Sequence, residues 1–248
     1  MTGLAGKTAF VSGSGKNIGR AIVLDLAARG ANVVVNGASD RDAAEAVAEA
    51  ARTHGVEALV AMGDIGEREA VTEITEAALA RFGTVDILVN NAAIRPSTPF
   101  LEMAEADWHR ILDVDLHSAF YICRAFLPGM VDKGWGRIVN ITGMNAIAGY
   151  PGHSPASVAK HGLWALTKTL AKEFGPSGVT VNAVSPGPIR GVHKDPEITK
   201  RIEARAAQVP VGRIGEPEDI SALTGFLCSE EGGFVSGQMV GSNGGMMT

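Results

Sequence analysis

Hydrophobic positions along the chain form short β-branched runs that alternate with longer stretches of helical period. This alternation is typical of successive βα units, which build a parallel sheet with helices on both faces. The predicted strands are Lys7–Ser12, Asn32–Asn36, Ala58–Met62, Ile87–Asn90, Arg137–Ile141, Thr180–Val184 and Gln238–Gly241. We therefore predict an α/β fold with a doubly wound, seven-stranded parallel sheet.

The segments between the predicted strands favour helices. Arg41–Arg52 is rich in Ala and Glu, and apolar residues recur at helical spacing in Glu67–Arg81. The long irregular stretch Pro186–Pro217 holds five prolines and a helical piece around Glu197–Ala207. Because a loop of that length is more often a lid than a domain boundary, we expect one domain over residues 1–248, with a substrate lid within about 188–214.

The composition and charge of the chain argue against several classes of protein. The 248 residues are 46% hydrophobic and 20% charged, which argues against a disordered or fibrous chain. A net charge of -5 without a basic cluster argues against nucleic acid as a partner. Two cysteines, Cys123 and Cys228, are too few for a disulfide framework, so a cytoplasmic location is expected. No membrane span, secretion signal or metal-ligand spacing of the histidines is found, so neither membrane nor metal binding is expected.

Glycine is in excess, at 31 residues, and three glycines stand where the first strand meets a helix. The stretch SGSGKNIGRA contains Gly13, Gly15 and Gly19. In such a turn, backbone amides can approach a pyrophosphate, and the helix N-terminus favours its charge. The pattern G-x-G-x-x-G fails because Ile18 takes the place of the third glycine. A tight strand-to-helix turn without a ligand is the alternative interpretation.

The spacing is that of T-G-x-x-x-G-x-G, with Ser12 and Asn17 at the variant positions. Four further segments follow in matching order: Asp64-Ile65, NNAA at 90–93, VNAVSPGPI at 181–189, and EPEDI with SGQMVGSNGG at 216–245. Together these motifs resemble the short-chain dehydrogenase/reductase family, and within it the 3-oxoacyl-ACP-reductase-like subgroup. The resemblance implies a Rossmann-type fold and a nicotinamide dinucleotide. The implied cofactor contacts are Ser12, Gly13, Ser14, Gly15, Lys16, Asn17, Ile18, Gly19, Asn36, Ser39, Asp64, Ile65, Asn91, Ala92, Lys160, Pro186, Gly187 and Ile189.

Charge at the end of the second strand bears on which nicotinamide cofactor is used. An NAD site needs an acid there for the ribose hydroxyls, but the strand ends VVVNGAS. Lys16 stands where NADP-preferring family members often carry a basic residue, and Asn36, Ser39 and Arg41 could complete a phosphate site. NADP(H) is therefore favoured, with NAD(H) as the alternative and an ordinary exposed lysine as the other interpretation of Lys16.

The resemblance also implies an Asn-Ser-Tyr-Lys tetrad, of which this chain keeps only the lysine. In HSPASVAKHGL the family lysine is Lys160, so the tyrosine position holds Ala156. Counting back thirteen residues, the serine position holds Gly143, and the asparagine position holds Asp115. Tyr150 lies ten residues before Lys160 and does not restore the motif. The usual proton donor is therefore missing.

Several residues could act instead. One hypothesis is that His153 replaces the tyrosine as acid and base, since imidazole suits proton transfer near neutral pH, while Lys160 holds the ribose. The alternative is a solvent-facing loop histidine. Asp115 could pair with Lys160 or only replace the asparagine at a water, while Tyr150 and Asn145 could line the pocket. An anionic substrate could meet three loop residues, Arg95, Arg190 and His193.

The leading expectation for function is an NADP(H)-dependent oxidoreductase that acts on a carbonyl, alcohol or conjugated C=C of a small organic substrate, with a non-standard proton donor. The alternatives are a protein that binds NADP(H) without turnover, as a sensor or scaffold, and a non-redox lyase or dehalogenase. The family resemblance further implies dimers or tetramers through the helices Trp108–Met130 and Pro155–Phe174. The same apolar side chains could instead face only the sheet.

Overall fold

The computed structural model describes residues 3–192 and 196–247, and a single parallel sheet forms its centre. The strands in chain order are β1 Thr8–Val11, β2 Asn32–Gly37, β3 Ala58–Met62, β4 Ile87–Asn90, β5 Gly136–Ile141, β6 Val179–Pro186 and β7 Met239–Ser242. Their order across the sheet is β3-β2-β1-β4-β5-β6-β7, so the direction of winding reverses between β1 and β4. In sheets of this kind, ligands bind outside the carboxyl ends of the strands at that reversal. The predicted α/β, Rossmann-type fold is confirmed.

Helices cover both faces of the sheet. They are α1 Asn17–Ala28, α2 Arg41–Arg52, α3 Arg68–Phe82, α4 Glu105–Leu112, α5 Ser118–Asp132, α6 Ser154–Phe174, α7 Pro196–Glu203 and α8 Pro217–Cys228. Alternate side chains of β1 belong to different cores, since Val11 packs with α1, α2 and α8. Phe10 packs with α3 and α5 on the opposite face. Both cores are apolar, as expected for a sheet buried on both sides.

The predicted helix Trp108–Met130 is present but contains a π-helical turn, which the sequence interpretation did not include. It divides into α4 and α5, which are joined by a π-helical turn at Asp113–His117. Within this turn, Asp115 is only 2% exposed and its Oδ1 accepts a hydrogen bond from the Ile94 amide at 2.8 Å. The wider turn therefore directs one carboxylate inward between two surface helices.

The expected lid region lies partly outside the described residues, since 193–195, including His193, are among the residues not described. The helical piece expected around Glu197–Ala207 ends earlier, because α7 stops at Glu203 and is followed by a short 3₁₀ turn at Ala206–Gln208. Before the gap, an isolated bridge joins Ile189 to Gly215. The two ends of the region are therefore in contact.

Candidate active site

The glycine turn after β1 is held against the end of β4. The Ser12 hydroxyl accepts hydrogen bonds from the amides of Asn91 and Ala92, at 3.0 and 3.1 Å. In return, the Asn91 side-chain amide donates to the carbonyls of Ser12 and Gly13, at 2.9 and 3.1 Å. Two segments predicted to contact the cofactor are therefore one connected unit.

Close packing explains two of the three glycines in this turn. A Cβ on Gly13 would lie 2.8 Å from the Ala92 Cα, and a Cβ on Gly19 would lie 2.5 Å from the Gly13 carbonyl oxygen. Gly15 differs, because its nearest protein atom would be 3.7 Å away, at the Ala44 amide. Internal packing therefore leaves Gly15 unexplained, whereas the approach of a bound group would explain it.

The N-terminus of α1 suits an anion. Its N-cap residue, Lys16, makes no side-chain capping bond, and the first turn holds no acidic residue. The first amides of a helix lack partners inside the helix and carry partial positive charge. A pyrophosphate would satisfy these amides, so the turn around Gly15 fits a dinucleotide.

Asn36 supports the turn from β2. Its side chain is buried, accepts a hydrogen bond from the Gly13 amide at 3.1 Å, and donates to the carbonyls of Ala61 and Gly63 at 3.0 and 3.2 Å. The Ser14 hydroxyl accepts from the Asn36 amide at 3.0 Å. Asn36 thus positions the turn, and its contact with a cofactor phosphate stays a prediction.

At the expected adenine end, Asp64 is already paired within the protein. Its Oδ1 accepts a hydrogen bond from the Gly66 amide at 2.9 Å, and its Oδ2 forms an ion pair with Arg110 of α4. Ile65 beside it is buried. Sequence reasoning missed Arg110, because no motif spacing connects α4 to the residues after β3.

Lys160 and Asp115 meet beneath the ends of β4 and β5. The Lys160 ammonium lies 3.5 Å from Asp115 Oδ2, and the two side chains are 3% and 0% exposed. Lys160 also donates to the Ile141 carbonyl at 3.2 Å. Burial lowers the pKa of Lys160 below its usual value, while the Asp115 carboxylate raises it and Arg95 lowers it further. This is a buried charge pair whose distance exceeds that of a short charge-assisted hydrogen bond.

Comparisons with known proteins identify the family. A model of the family described as enoyl-(acyl carrier protein) reductase matches residues 13–247. The chain is 36% identical over 240 residues to the 3-oxoacyl-[acyl-carrier-protein] reductase FabG of Staphylococcus epidermidis, covering 97% of this chain and 98% of that protein. It is 37% identical over 244 residues to the FabG of Aquifex aeolicus, covering 98% of each. The chain belongs to the short-chain dehydrogenase/reductase family.

A solved structure agrees with this membership. Acetoin dehydrogenase YohF from Salmonella typhimurium superimposes with a TM-score of 0.90 at 33% sequence identity, over 97% of this chain and 96% of the other. The protein is therefore an oxidoreductase by family, with the Rossmann fold of its relatives.

Two positions of this short-chain dehydrogenase/reductase lack the hydroxyls that the family resemblance implies. Ala156 is 2% exposed on α6. Gly143 has φ 115° and ψ 172°, and no heavy atom lies within 4 Å of a Cβ placed there. The space at Gly143 is open, but its backbone conformation is one that only glycine adopts readily.

The other proposed catalytic residues lie on the segment between β5 and α6. His153 directly precedes α6, and its Nδ1 is buried without a hydrogen-bond partner among the described residues. The Tyr150 hydroxyl lies 4.0 Å from the Met144 sulfur, and Asn145 is half-buried in the turn Met144–Ala146. No hydrogen bond in the described part of the chain joins these residues to Lys160.

A buried amide network that sequence reasoning missed anchors α6. Asn90 Nδ2 donates to Asn140 Oδ1 at 2.8 Å, and Asn140 Nδ2 donates to Thr167 Oγ1 at 2.8 Å. Thr167 lies two helical turns after Lys160, on the same face of α6. The seven-residue spacing between Lys160 and Thr167 is the sequence signal that could have indicated a shared face. The network fixes α6, and hence Lys160, against β4 and β5.

The segment after β6 forms the opposite wall. Gly187 donates its amide to the Ser242 carbonyl at 3.0 Å, and a Cβ on Gly187 would lie 2.7 Å from the Asn243 Cα. Pro186 ends β6 opposite Ser242, beyond Val184, the last residue of β6 that pairs with β5. The end of β7 therefore fixes the stretch that the family resemblance places beside the nicotinamide.

Thiol and metal chemistry find no support in the described residues. Burial raises the pKa of both Cys123 and Cys228 to about 12, so neither is a reactive thiolate near neutral pH. No group of three metal-ligating side chains occurs within residues 3–192 and 196–247. None of the described helices is both long and apolar enough to cross a bilayer.

Proposed function

We propose that this short-chain dehydrogenase/reductase uses NADP(H) in a reaction at a carbonyl, alcohol or conjugated C=C, with the Lys160–Asp115 pair in place of the tyrosine phenol. The observation that carries this proposal is the pair itself: Lys160 lies on α6, the helix that holds Ala156 at the tyrosine position, and its ammonium is 3.5 Å from the buried Asp115 carboxylate of the π-helical turn. The uncapped N-terminus of α1 supports dinucleotide binding. When bound, NADP(H) supplies or accepts the hydride.

The proton in this proposal belongs to Lys160 Nζ. In the reducing direction the ammonium gives one proton to the developing anion and is left as the neutral amine, which regains a proton from water that enters the site when the product leaves. Its lowered pKa favours release of the proton, because burial disfavours the charged form. Asp115 stabilises the ammonium between turnovers and thereby limits that shift. His153 is the second candidate donor, because its buried Nδ1 has no partner among the described residues.

For the substrate class we propose acyl thioesters. The matching family is described by a reaction on enoyl groups, and the FabG relatives by a reaction on 3-oxoacyl groups. Both are acyl chains activated next to a thioester. Without a phenol at Ala156 and a hydroxyl at Gly143, two hydrogen bonds that would stabilise the alkoxide formed from a ketone are absent.

The test begins with fluorescence titration of NADPH, NADP+ and NADH. Absorbance loss is then followed with crotonyl-CoA, acetoacetyl-CoA and simple ketones, with Lys160→Met as the control. We expect NADPH binding and cofactor oxidation with a thioester, abolished in Lys160→Met. Tight binding without turnover of any of these would favour the sensor or scaffold, and substrate loss without cofactor oxidation would favour a lyase.

We also propose that the protein is a homo-oligomer. A groove of about 550 Å³ on the outer side of α5 and α6 is lined by Leu116, His117, Phe120, Tyr121, Gly162, Ala165, Leu166 and Thr169. Phe120 is 46% exposed there. Exposed apolar patches of this kind mark association surfaces, and contact between the same patch on two copies would give a two-fold dimer.

A further inference from the structure

Asn17 connects two parts of the chain that are 175 positions apart. Its Oδ1 accepts the Val192 amide at 2.7 Å, and its Nδ2 donates to the Val192 carbonyl at 3.4 Å. Both polar groups of one side chain are therefore used on the backbone of one residue. Asn17 opens α1 within the glycine turn, whereas Val192 ends the described segment that follows β6.

The backbone at Asn17 is adapted to this contact. Its φ is +50°, which makes it the one non-glycine residue with a left-handed φ in the described part of the chain. Asparagine tolerates this conformation better than other residues with a side chain. Glycine would satisfy the backbone equally well but could not reach Val192. The side-chain amide is thus the feature that asparagine adds.

The other described hydrogen bonds of the segment Gly187–Val192 lead away from the glycine turn, and Gly187 itself bonds Ser242 of β7. The Arg190 amide donates to the Gly215 carbonyl at 2.8 Å. The Arg190 guanidinium pairs with Glu216 at 2.9 Å and also with Glu203. These contacts of Arg190 lead toward α7 and α8. Among the described residues, Asn17 is the one whose hydrogen bonds tie the segment to the glycine turn, on the other side of the expected cofactor groove.

We propose that Asn17 is a positioning residue that joins the pyrophosphate turn to the wall beside the nicotinamide, so that release of the dinucleotide requires the Asn17–Val192 bridge to open. The proposal rests on the proposed binding of NADP(H) at this turn. Two partly exposed hydrogen bonds would slow NADPH dissociation about fivefold relative to a protein without them.

Three variants separate the bridge from the backbone conformation. Asn17→Gly keeps the left-handed backbone and removes the amide. Asn17→Ala removes the amide and adds strain. Asn17→Asp keeps the oxygen that accepts the Val192 amide but places a negative charge beside the expected pyrophosphate.

The measurements are hydrogen exchange at Val192 and stopped-flow dissociation of NADPH. We expect Asn17→Gly to speed Val192 exchange and NADPH release about fivefold each, and Asn17→Ala to do the same with a lower melting temperature. Asn17→Asp should keep Val192 protected while weakening NADPH binding about fivefold by repulsion. Equal exchange at Val192 in Asn17→Gly and the unaltered protein would overturn the bridge.

An unchanged rate of NADPH release in Asn17→Gly would overturn the coupling. Failure of the proposed NADP(H) binding has a different signature, because the unaltered protein would then bind neither NADPH nor NADH, whereas failure of turnover alone would leave the NADPH release rates measurable. Exchange at Val192 in the free proteins still reports on the bridge in that case.

Discussion

Lys160 Nζ and Asp115 Oδ2 lie 3.5 Å apart, in a place where both side chains are closed off from solvent. The family resemblance implies a neutral asparagine at position 115, so the exchange to aspartate adds a full negative charge beside the lysine. A buried ammonium without such a partner tends to lose its proton, because desolvation disfavours the charge. Asp115 therefore favours the charged form of Lys160 at a degree of burial that would otherwise favour the neutral amine.

Asp115→Asn tests this pairing through stability. The pKa of Lys160 in the folded protein lies below its usual 10.5. Burying the charged lysine therefore lowers the free energy of unfolding by its full amount at pH values below the folded pKa, and this loss becomes smaller as the pH rises toward 10.5. Removing the carboxylate lowers the folded pKa further. We expect the free energy of unfolding to fall by about 3 kcal/mol at neutral pH, with the deficit shrinking toward pH 10.5, as measured by urea unfolding.

The matched control is the double variant Asp115→Asn with Lys160→Met, which removes both charges. It should recover much of the lost stability, because replacing a buried pair is less costly than breaking it. A deficit in Asp115→Asn that stays the same from pH 7 to pH 10 would contradict the assignment of the charge to Lys160.

His153→Ala separates the two candidate proton donors. With Lys160 as donor, turnover of a thioester substrate should change less than about threefold, whereas loss of a true general acid costs about 100-fold or more. His161→Ala is the control. His161 is a second histidine on α6, and its Nδ1 forms a hydrogen bond with the Ser157 carbonyl oxygen at 2.9 Å. A 100-fold loss in His153→Ala alone would transfer the role to the imidazole.

Gly143→Ser is expected to fail as a restoration of the missing hydroxyl. At φ 115° a side chain strains the backbone by about 1–3 kcal/mol, although the space around a Cβ is open. Gly143→Ala carries the same strain without the hydroxyl, so the two variants should lose equal stability in thermal unfolding. Addition of Gly143→Ser to Ala156→Tyr should not raise ketone reduction above that of Ala156→Tyr alone, and a large gain would refute this account.

Lys16→Ala tests the cofactor preference. Lys16 is exposed at the start of α1, and loss of one charged phosphate contact should raise the dissociation constant of NADPH about 10-fold. The constant for NADH should change less than about twofold, since NADH lacks the 2'-phosphate. Arg20→Ala, on the same helix, is the control. Equal weakening of both cofactors would place Lys16 elsewhere than at the 2'-phosphate.

Phe120→Glu tests assembly. Placing a charge in the groove between α5 and α6 should convert an oligomer to smaller species in sedimentation velocity, because a buried unpaired carboxylate opposes association. Phe234→Glu is the control, because Phe234 is fully exposed and is not among the groove residues. Identical sedimentation of Phe120→Glu and the unaltered protein would exclude this groove as the interface.

The sheet could be predicted because β-branched runs and helical periods are local signals. The strand predicted at Ala58–Met62 has those bounds in the structure, and the helix at Arg41–Arg52 likewise. The π-helical turn inside Trp108–Met130 could not be predicted, since it accompanies contacts of Asp115 with Ile94 and Lys160 that form only in three dimensions. Local periodicity contains no information about such partners.

At the candidate site, sequence motifs and spacing from Lys160 are sufficient to locate Ala156, Gly143 and Asp115. It could not show that the Asn36 amide is used by backbone groups of the glycine turn and β3. Nor could it reveal the bridge from Asn17 to Val192. These contacts join residues far apart in sequence, and no motif describes them.

The π-helical turn at Asp113–His117 determines the direction in which the side chains of α5 point around the helix axis. One residue more or less in a helix rotates the following side chains by about 100°, so deletion of a residue here would turn the outer face of α5 away from α6. Conversion of the turn to a plain α-helix would also remove the inward direction of Asp115. The charge beside Lys160 and the apolar groove at Phe120 therefore share one geometric origin, and neither could be lost by a change of turn without disturbing the other.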